Sequence, residues 1–222
     1  MNPATRLLIS FNDTLVIVTI VTMIYGSIFC IRNKDRKVFS VFPFYSLSSL
    51  IQLTVSWLHI HSLFLAVRNW FPFLELFAFL FFFNSILSTK WVKKSLPILL
   101  IFFLLDNIIL NISTKNADLI ELGHLYSIEN FLLLLPSIVY FREKFQSKSE
   151  TILPTDASFW IATGILLLAI SSMPISIFLW MNQKRLDESW QEVFAPILLV
   201  PYIIMNFLFI KGFTCKLSTI TK

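Results

Sequence analysis

Seven apolar blocks, each long enough to cross a bilayer, occupy most of this chain and decide what it can fold into. They lie near Leu7–Ile31, Val38–Leu58, Leu63–Leu87, Leu96–Ile112, Leu119–Phe141, Phe159–Leu179 and Val193–Ile210. A hydrocarbon core of about 30 Å takes roughly 20 helical residues. In lipid only helices or closed barrels satisfy the backbone, and continuous apolar runs without period-two alternation exclude the barrel. With 56% hydrophobic residues and a mean hydropathy of +0.76, a soluble fold would leave large apolar surface in water. The expectation is therefore an all-α polytopic membrane protein with seven transmembrane helices. Residues 1–222 read as one seven-helix transmembrane domain, because the connections leave no room for a soluble catalytic domain.

Charge sets the expected orientation. Arg32, Lys34, Arg36 and Lys37 follow the first block, and Lys90, Lys93 and Lys94 the third. Arg142, Lys144 and Lys148 follow the fifth, and Lys211, Lys216 and Lys222 the seventh. The other connections and the N-terminal segment hold only Arg6, Arg68, Lys115, Lys184 and Arg185. The positive-inside rule then puts the N-terminus outside and the C-terminus in the cytoplasm. The net charge of +5 reads as this topology signal, not as a nucleic-acid surface. The first basic run follows its apolar block, which is a signal-anchor arrangement, not a cleavable signal. All six Trp fall at block ends (Trp57, Trp70, Trp91, Trp160, Trp180, Trp190), at headgroup level.

Proline and cysteine add detail. Pro43, Pro97 and Pro196 are expected in first turns, and Pro136, Pro174 and Pro201 deeper, as kinks. Cys30 and Cys215 sit near block ends on one side and read as two buried thiols, not as a disulfide.

Ionisable groups inside a span default to function. Glu75, Asp106 and Glu129 qualify, all in the outer half. Asp106 is expected about 9 Å below the outer end of its helix and Glu129 about 15 Å inward. Asn107 and Asn130 adjoin them, with Gln52, Asn111, Ser171 and Ser172 at similar depth. The expected arrangement is a polar cavity opening outward and enclosed by helices three to six, with Glu75, Asp106, Asn107, Glu129 and Asn130 as ligand-binding residues for a small cation or amine. Interhelical hydrogen bonding is the competing explanation for the same residues. Glu75/Phe77, Glu129/Phe131 and Glu192/Phe194 repeat a Glu-x-Phe, either a relic of a duplicated hairpin or acids favoured near helix N-termini.

No metal site is expected. His59 and His61 point about 200° apart on a helix, and these two and His124 read as interfacial. Arg68 and Glu75 are two turns apart and are not expected to pair. No HExxH, GxSxG, Walker A or GxGxxG pattern is present, so neither enzyme chemistry nor a cofactor is expected. The four glycines form no GxxxG, and continuous helices with a few prolines suit a receptor-like bundle better than an alternating-access carrier. Phe81–Phe82–Phe83 and the other phenylalanines read as lipid-facing or packing residues.

Phe159, Trp160 and Gly164 open the sixth block, and Asn206, Leu208, Phe209, Lys211, Gly212, Phe213 and Cys215 close the seventh. With Glu75 and Glu129 early in their helices, the chain resembles small bacterial seven-helix integral membrane proteins of unassigned function, often encoded beside histidine kinases. The resemblance implies a sensory or accessory role and transfers no catalytic residue. The leading expectation is a non-enzymatic sensor in the bacterial cytoplasmic membrane. Its partners would be the lipid bilayer and a separate cytoplasmic or membrane signalling protein, not nucleic acid. The alternatives are a small solute or proton-coupled transporter, and a structural or assembly subunit of a membrane complex.

Overall fold

The computed structural model describes residues 3–32, 39, 41–57, 61–113, 119–146, 155–182 and 188–215. Within these helices, the side chains of 3–12, 52–53, 55–57, 61–69, 111–113, 119–122, 188–196 and 198 lie outside the description. The described residues form seven helices: α1 (Pro3–Arg32), α2 (Val41–Trp57), α3 (His61–Ile86), α4 (Lys90–Ser113), α5 (Leu119–Gln146), α6 (Ala157–Met181) and α7 (Glu188–Thr214). No strand occurs among them. The all-α architecture expected from the apolar blocks is the one found.

Three helical stretches, Asp13–Arg32, Gly123–Gln146 and Ala157–Met181, are long and apolar enough to cross a membrane. Val41–Ile51, Trp70–Ile86 and Leu199–Thr214 are shorter apolar stretches. The outside of the bundle matches that composition. On α4, Ile98, Ile101, Phe102, Leu105 and Ile109 form one exposed stripe. In water such a stripe would be an aggregation site; against acyl chains it is matched. Hydroxyls inside the helices bond back to their own carbonyls, as Thr22 does to Val18 and Ser137 to Leu133. That local bond satisfies a polar group where water is absent.

Neighbour packing closes a ring in the order α1, α2, α3, α5, α6, α7 and back to α1, with α4 packed outside it against α3 and α5. Successive helices alternate in direction, and aromatic side chains show this at one end. Phe29, near the C-terminus of α1, meets Phe39 and Phe213, the latter near the C-terminus of α7. Phe42 in the first turn of α2 meets Phe82 of α3 and Phe209 of α7. Phe83 meets Tyr140 of α5, and Phe141 meets Phe159 at the start of α6. We call this the aromatic end. Of the consecutive phenylalanines, Phe81 is exposed while Phe82 and Phe83 are fully buried. All described Lys and Arg side chains lie toward the same end: Arg32, Lys90, Lys93, Lys94, Arg142, Lys144 and Lys211. Arg6, Arg68, Lys115, Lys184 and Arg185 fall outside the described side chains.

Helix α4 starts earlier than its apolar block. The Glu143 carboxylate of α5 accepts the backbone N–H groups of Ser88 (2.8 Å) and Thr89 (2.7 Å), capping α4 from a neighbouring helix. The helix therefore begins at Lys90, and Pro97 sits two turns inside it instead of in the first turn. Pro196 likewise lies well inside α7, which begins at Glu188. Pro43 does occupy the first turn of α2, and Pro136 and Pro174 lie inside α5 and α6. Pro72, inside α3, is a further interior proline. At α6 the cap is Asp156, which accepts from the Ser158 N–H and pairs with Lys144 of α5. Cys30 and Cys215 are free thiols, as expected, but both are half-buried instead of buried.

Candidate functional site

Three residues one turn apart, Phe71, Glu75 and Phe79, share a face of α3, since positions four apart stack along a helix. The Tyr45 ring of α2 lies along that face, 6.1 Å from Phe71 and 5.1 Å from Phe79 between ring centres. The two phenyl rings fix its direction, and its hydroxyl donates to Glu75 Oε1 at 3.1 Å. From α7 the Tyr202 hydroxyl donates to Glu75 Oε2 at 3.2 Å. Glu75 thus joins α2, α3 and α7 through two hydrogen bonds, and it is 0% exposed. Leu76 and Phe79 beside it are fully buried too.

Glu129 of α5 faces the same core and is 2% exposed. It lies within electrostatic reach of Glu75, and Tyr202 within reach of Tyr45, Glu75, Tyr126 and Glu129. Two tyrosines, Tyr45 and Tyr202, therefore lie against the two carboxylates, with Tyr126 near Tyr202. The two acids differ in one respect. Both Glu75 oxygens hold a tyrosine hydroxyl, whereas neither Glu129 oxygen has a hydrogen-bond partner. No Lys, Arg or His among the described residues contributes to the field at either one. Bare charge is costly in such a place, so a proton or a bound cation must offset it.

Asp106 is not part of this core. It lies beside His124 of α5, with Nε2 to Oδ2 at 3.3 Å and both side chains 25% exposed. The approach is at ion-pair distance but lacks hydrogen-bond geometry. The His124 ring also packs 5.1 Å from Trp180 of α6. His124 and Glu129 are five positions apart, about 7.5 Å along α5, so the Asp106 pair lies nearer the end opposite the aromatic one. Asn107 and Asn130 are buried.

The structure thus brings Glu75 and Glu129 together and sets Asp106 apart. It differs from the expected outward-opening cavity enclosed by helices three to six. Tyr45 of α2 and Tyr202 of α7 close the carboxylate core, while α4 lies outside the ring. The Glu-x-Phe pattern has a helical cause in both described copies: Glu75 and Glu129 point inward and Phe77 and Phe131, two residues on, point outward. Glu192 and Phe194 lie outside the described side chains, as do Gln52, Asn111, His59, His61 and Arg68. Ser172 is buried and Ser171 exposed.

Sequence reasoning missed Tyr45, Tyr202 and the role of His124. A usable signal was present for the tyrosines. Each lies in an apolar run, and a buried phenol needs a partner for its O–H. Among the described residues no group of three or more His, Cys, Asp or Glu side chains is placed to hold a metal ion. No protein-family model, curated protein or solved structure matches the chain.

Proposed function

We propose that this chain is a non-enzymatic sensor that crosses the bacterial cytoplasmic membrane seven times, N-terminus outside and C-terminus inside. A small cationic ligand acts at the Glu75–Glu129 core, and a separate signalling partner reads the result at the basic, aromatic end. The observation that carries the reading is the unpartnered Glu129 carboxylate facing a Glu75 already bonded to α2 and α7. Neutralising or exposing that charge alters the balance of interactions among four helices at once, and a ligand shifts a packing equilibrium by as much as it binds the two states differently.

Helix α5 supplies a route from this core to the basic end. Glu129 and Glu143 are 14 residues apart on it, about 21 Å. Glu143 caps α4, and the next residue, Lys144, pairs with the α6 cap Asp156. A rotation or bend of α5, with Pro136 between the two sites, would disturb the starts of both neighbours. The orientation rests on the seven described basic side chains gathered at that end.

The test uses cysteine variants. Lys94→Cys in intact cells should react with a membrane-impermeant maleimide only after the membrane is opened. For function, spin labels at Arg32→Cys and Lys94→Cys should report a distance change between low and high pH, or on adding an alkylammonium salt. Glu129→Gln should remove that change. Labelling of Lys94→Cys from outside would refute the orientation, and invariant distances under every condition would refute the sensor.

A further inference from the structure

At the aromatic end, the seam between α1 and α7 holds a groove of about 350 Å³. Among the described residues its lining is Tyr25, Ile28, Phe29 and Arg32 of α1 with Phe213 and Thr214 of α7. The four α1 positions are spaced i, i+3, i+4 and i+7, which is one helical face. Tyr25, Ile28 and Arg32 are exposed, while Phe29 and Phe213 are buried. Local sequence explains the opening. Gly26 has no side chain, so the Phe213 ring packs in against α1, where a Cβ would meet its edge at 3.2 Å. The ring continues inward to Phe29 and Phe42, at 5.5 and 5.9 Å between ring centres. An inward Phe213 leaves the outside of the seam to Thr214, whose short side chain bonds back to the Lys211 carbonyl.

Chemistry changes along the groove. Arg32 ends α1 and supplies a positive charge at one end. Ile28 and Tyr25 lie four and seven residues deeper, the latter about 10 Å along the helix. No carboxylate lines the groove among the described residues. Glu143 and Asp156, the described acids of this end, are engaged elsewhere, on the Ser88 and Thr89 amides and on Lys144. Lys211 sits over the Trp160 ring toward α6, 6.0 Å from its centre. A phospholipid has the same order of groups, with a phosphate outermost, glycerol esters beneath it and acyl chains below. A guanidinium takes phosphate oxygens two at a time, and its stem lies along apolar surface. Lys34, Arg36 and Lys37 follow Arg32 in the sequence, and a basic cluster directly after a transmembrane helix favours anionic over zwitterionic lipid. A free phosphate would match only the Arg32 end.

We propose that the α1–α7 groove is a binding site for one anionic phospholipid, with its phosphate on Arg32 and an acyl chain along Ile28 and Tyr25. The site needs this end of the bundle to meet a headgroup layer and does not involve the carboxylate core.

The test is native mass spectrometry of the purified full-length chain in detergent micelles, titrated with phosphatidylglycerol or with phosphatidylcholine of the same chain length. The first phosphatidylglycerol should bind several-fold more tightly than the first phosphatidylcholine. Arg32→Gln should remove that preference. Thr214→Trp, which keeps every charge but fills the groove, should weaken the first phosphatidylglycerol several-fold. Lys94→Gln removes a charge at the same end but outside the groove, and it should leave the preference intact. Added inorganic phosphate should not displace the lipid. A photoactivatable phosphatidylglycerol on the wild-type chain should attach within Tyr25–Arg32 or near Thr214, and this mapping decides the matter if Arg32→Gln does not fold. Equal affinity for the two lipids would overturn the proposal, as would attachment only at other helices. An equal loss in Lys94→Gln and Arg32→Gln would show diffuse attraction in place of a site. Displacement by inorganic phosphate would show an anion site without a lipid.

Discussion

Tyr202 and Glu75 are 127 positions apart in sequence and 3.2 Å apart at their oxygens. With Tyr45 on the other carboxylate oxygen, this bond ties the second, third and seventh helices at one point inside the apolar bundle. Lipid offers no water to replace a lost partner, so each hydroxyl and the carboxylate depend on one another.

That dependence is measurable. Tyr45→Phe and Tyr202→Phe should each lower stability by about 1–3 kcal/mol, because each leaves a buried carboxylate oxygen without its donor. Glu75→Gln, which keeps an acceptor oxygen and the volume, should cost less than Glu75→Ala, which orphans both phenols and opens a cavity. Combining Tyr202→Phe with Glu75→Ala should be clearly non-additive, since the second change removes what the first would lose. Unfolding in mixed micelles reads all of these. Strict additivity would mean that the hydroxyls find other partners.

A second prediction concerns the start of α4. The Glu143 carboxylate receives the Ser88 and Thr89 amides, so the cap comes from a residue 54 positions further along the chain than Thr89. Glu143→Ala should cost about 1 kcal/mol, the usual loss for a helix cap. The effect should be local. Amide exchange at Ser88, Thr89 and the Lys90–Lys93 turn should speed up, while amides near Phe103 should not change. Protection unchanged at Ser88 and Thr89 would show that another group caps the helix.

Helix existence was legible because apolar blocks of this length have one backbone solution in lipid. Helix ends were less so. The α4 start depends on Glu143, a contact between positions far apart in sequence, so the apolar run alone placed the helix at Leu96 and Pro97 in its first turn. Glu75 and Glu129 stood out because acids are costly inside a span. Their pairing did not, since helical phase fixes which side a residue takes on its own helix but not which neighbour faces it. Asp106 shows the same limit. It reads like the other two acids in sequence, yet α4 packs outside the ring and turns it toward His124.

The Asp106–His124 contact supplies a third prediction. Both side chains are a quarter exposed, so solvent screens the pair. A double-mutant cycle with Asp106→Asn and His124→Gln should give a coupling energy of no more than about 1 kcal/mol, smaller at high salt. A coupling well above that range would show that the pair is shielded from solvent.

The last prediction separates two glycines by what lies against them. A Cβ on Gly212 of α7 would come within 3.0 Å of the Ala157 carbonyl oxygen at the start of α6, and within 3.1 Å of Ile161 Cγ1. Backbone there is held by the Asp156 cap and cannot yield without moving α6. On Gly26 of α1 the nearest atom would be the edge of the Phe213 ring, at 3.2 Å. A ring near the helix end can tilt by a few tenths of an ångström. Gly212→Ala should therefore destabilise by about 1–3 kcal/mol, in the range of core overpacking. Gly26→Ala should be near neutral, since the helix propensity of Ala offsets the contact. Comparing unfolding midpoints of the two variants tests the ordering. A Gly26→Ala loss as large as that of Gly212→Ala would show that the α1–α7 contact is as rigid as the one between α6 and α7.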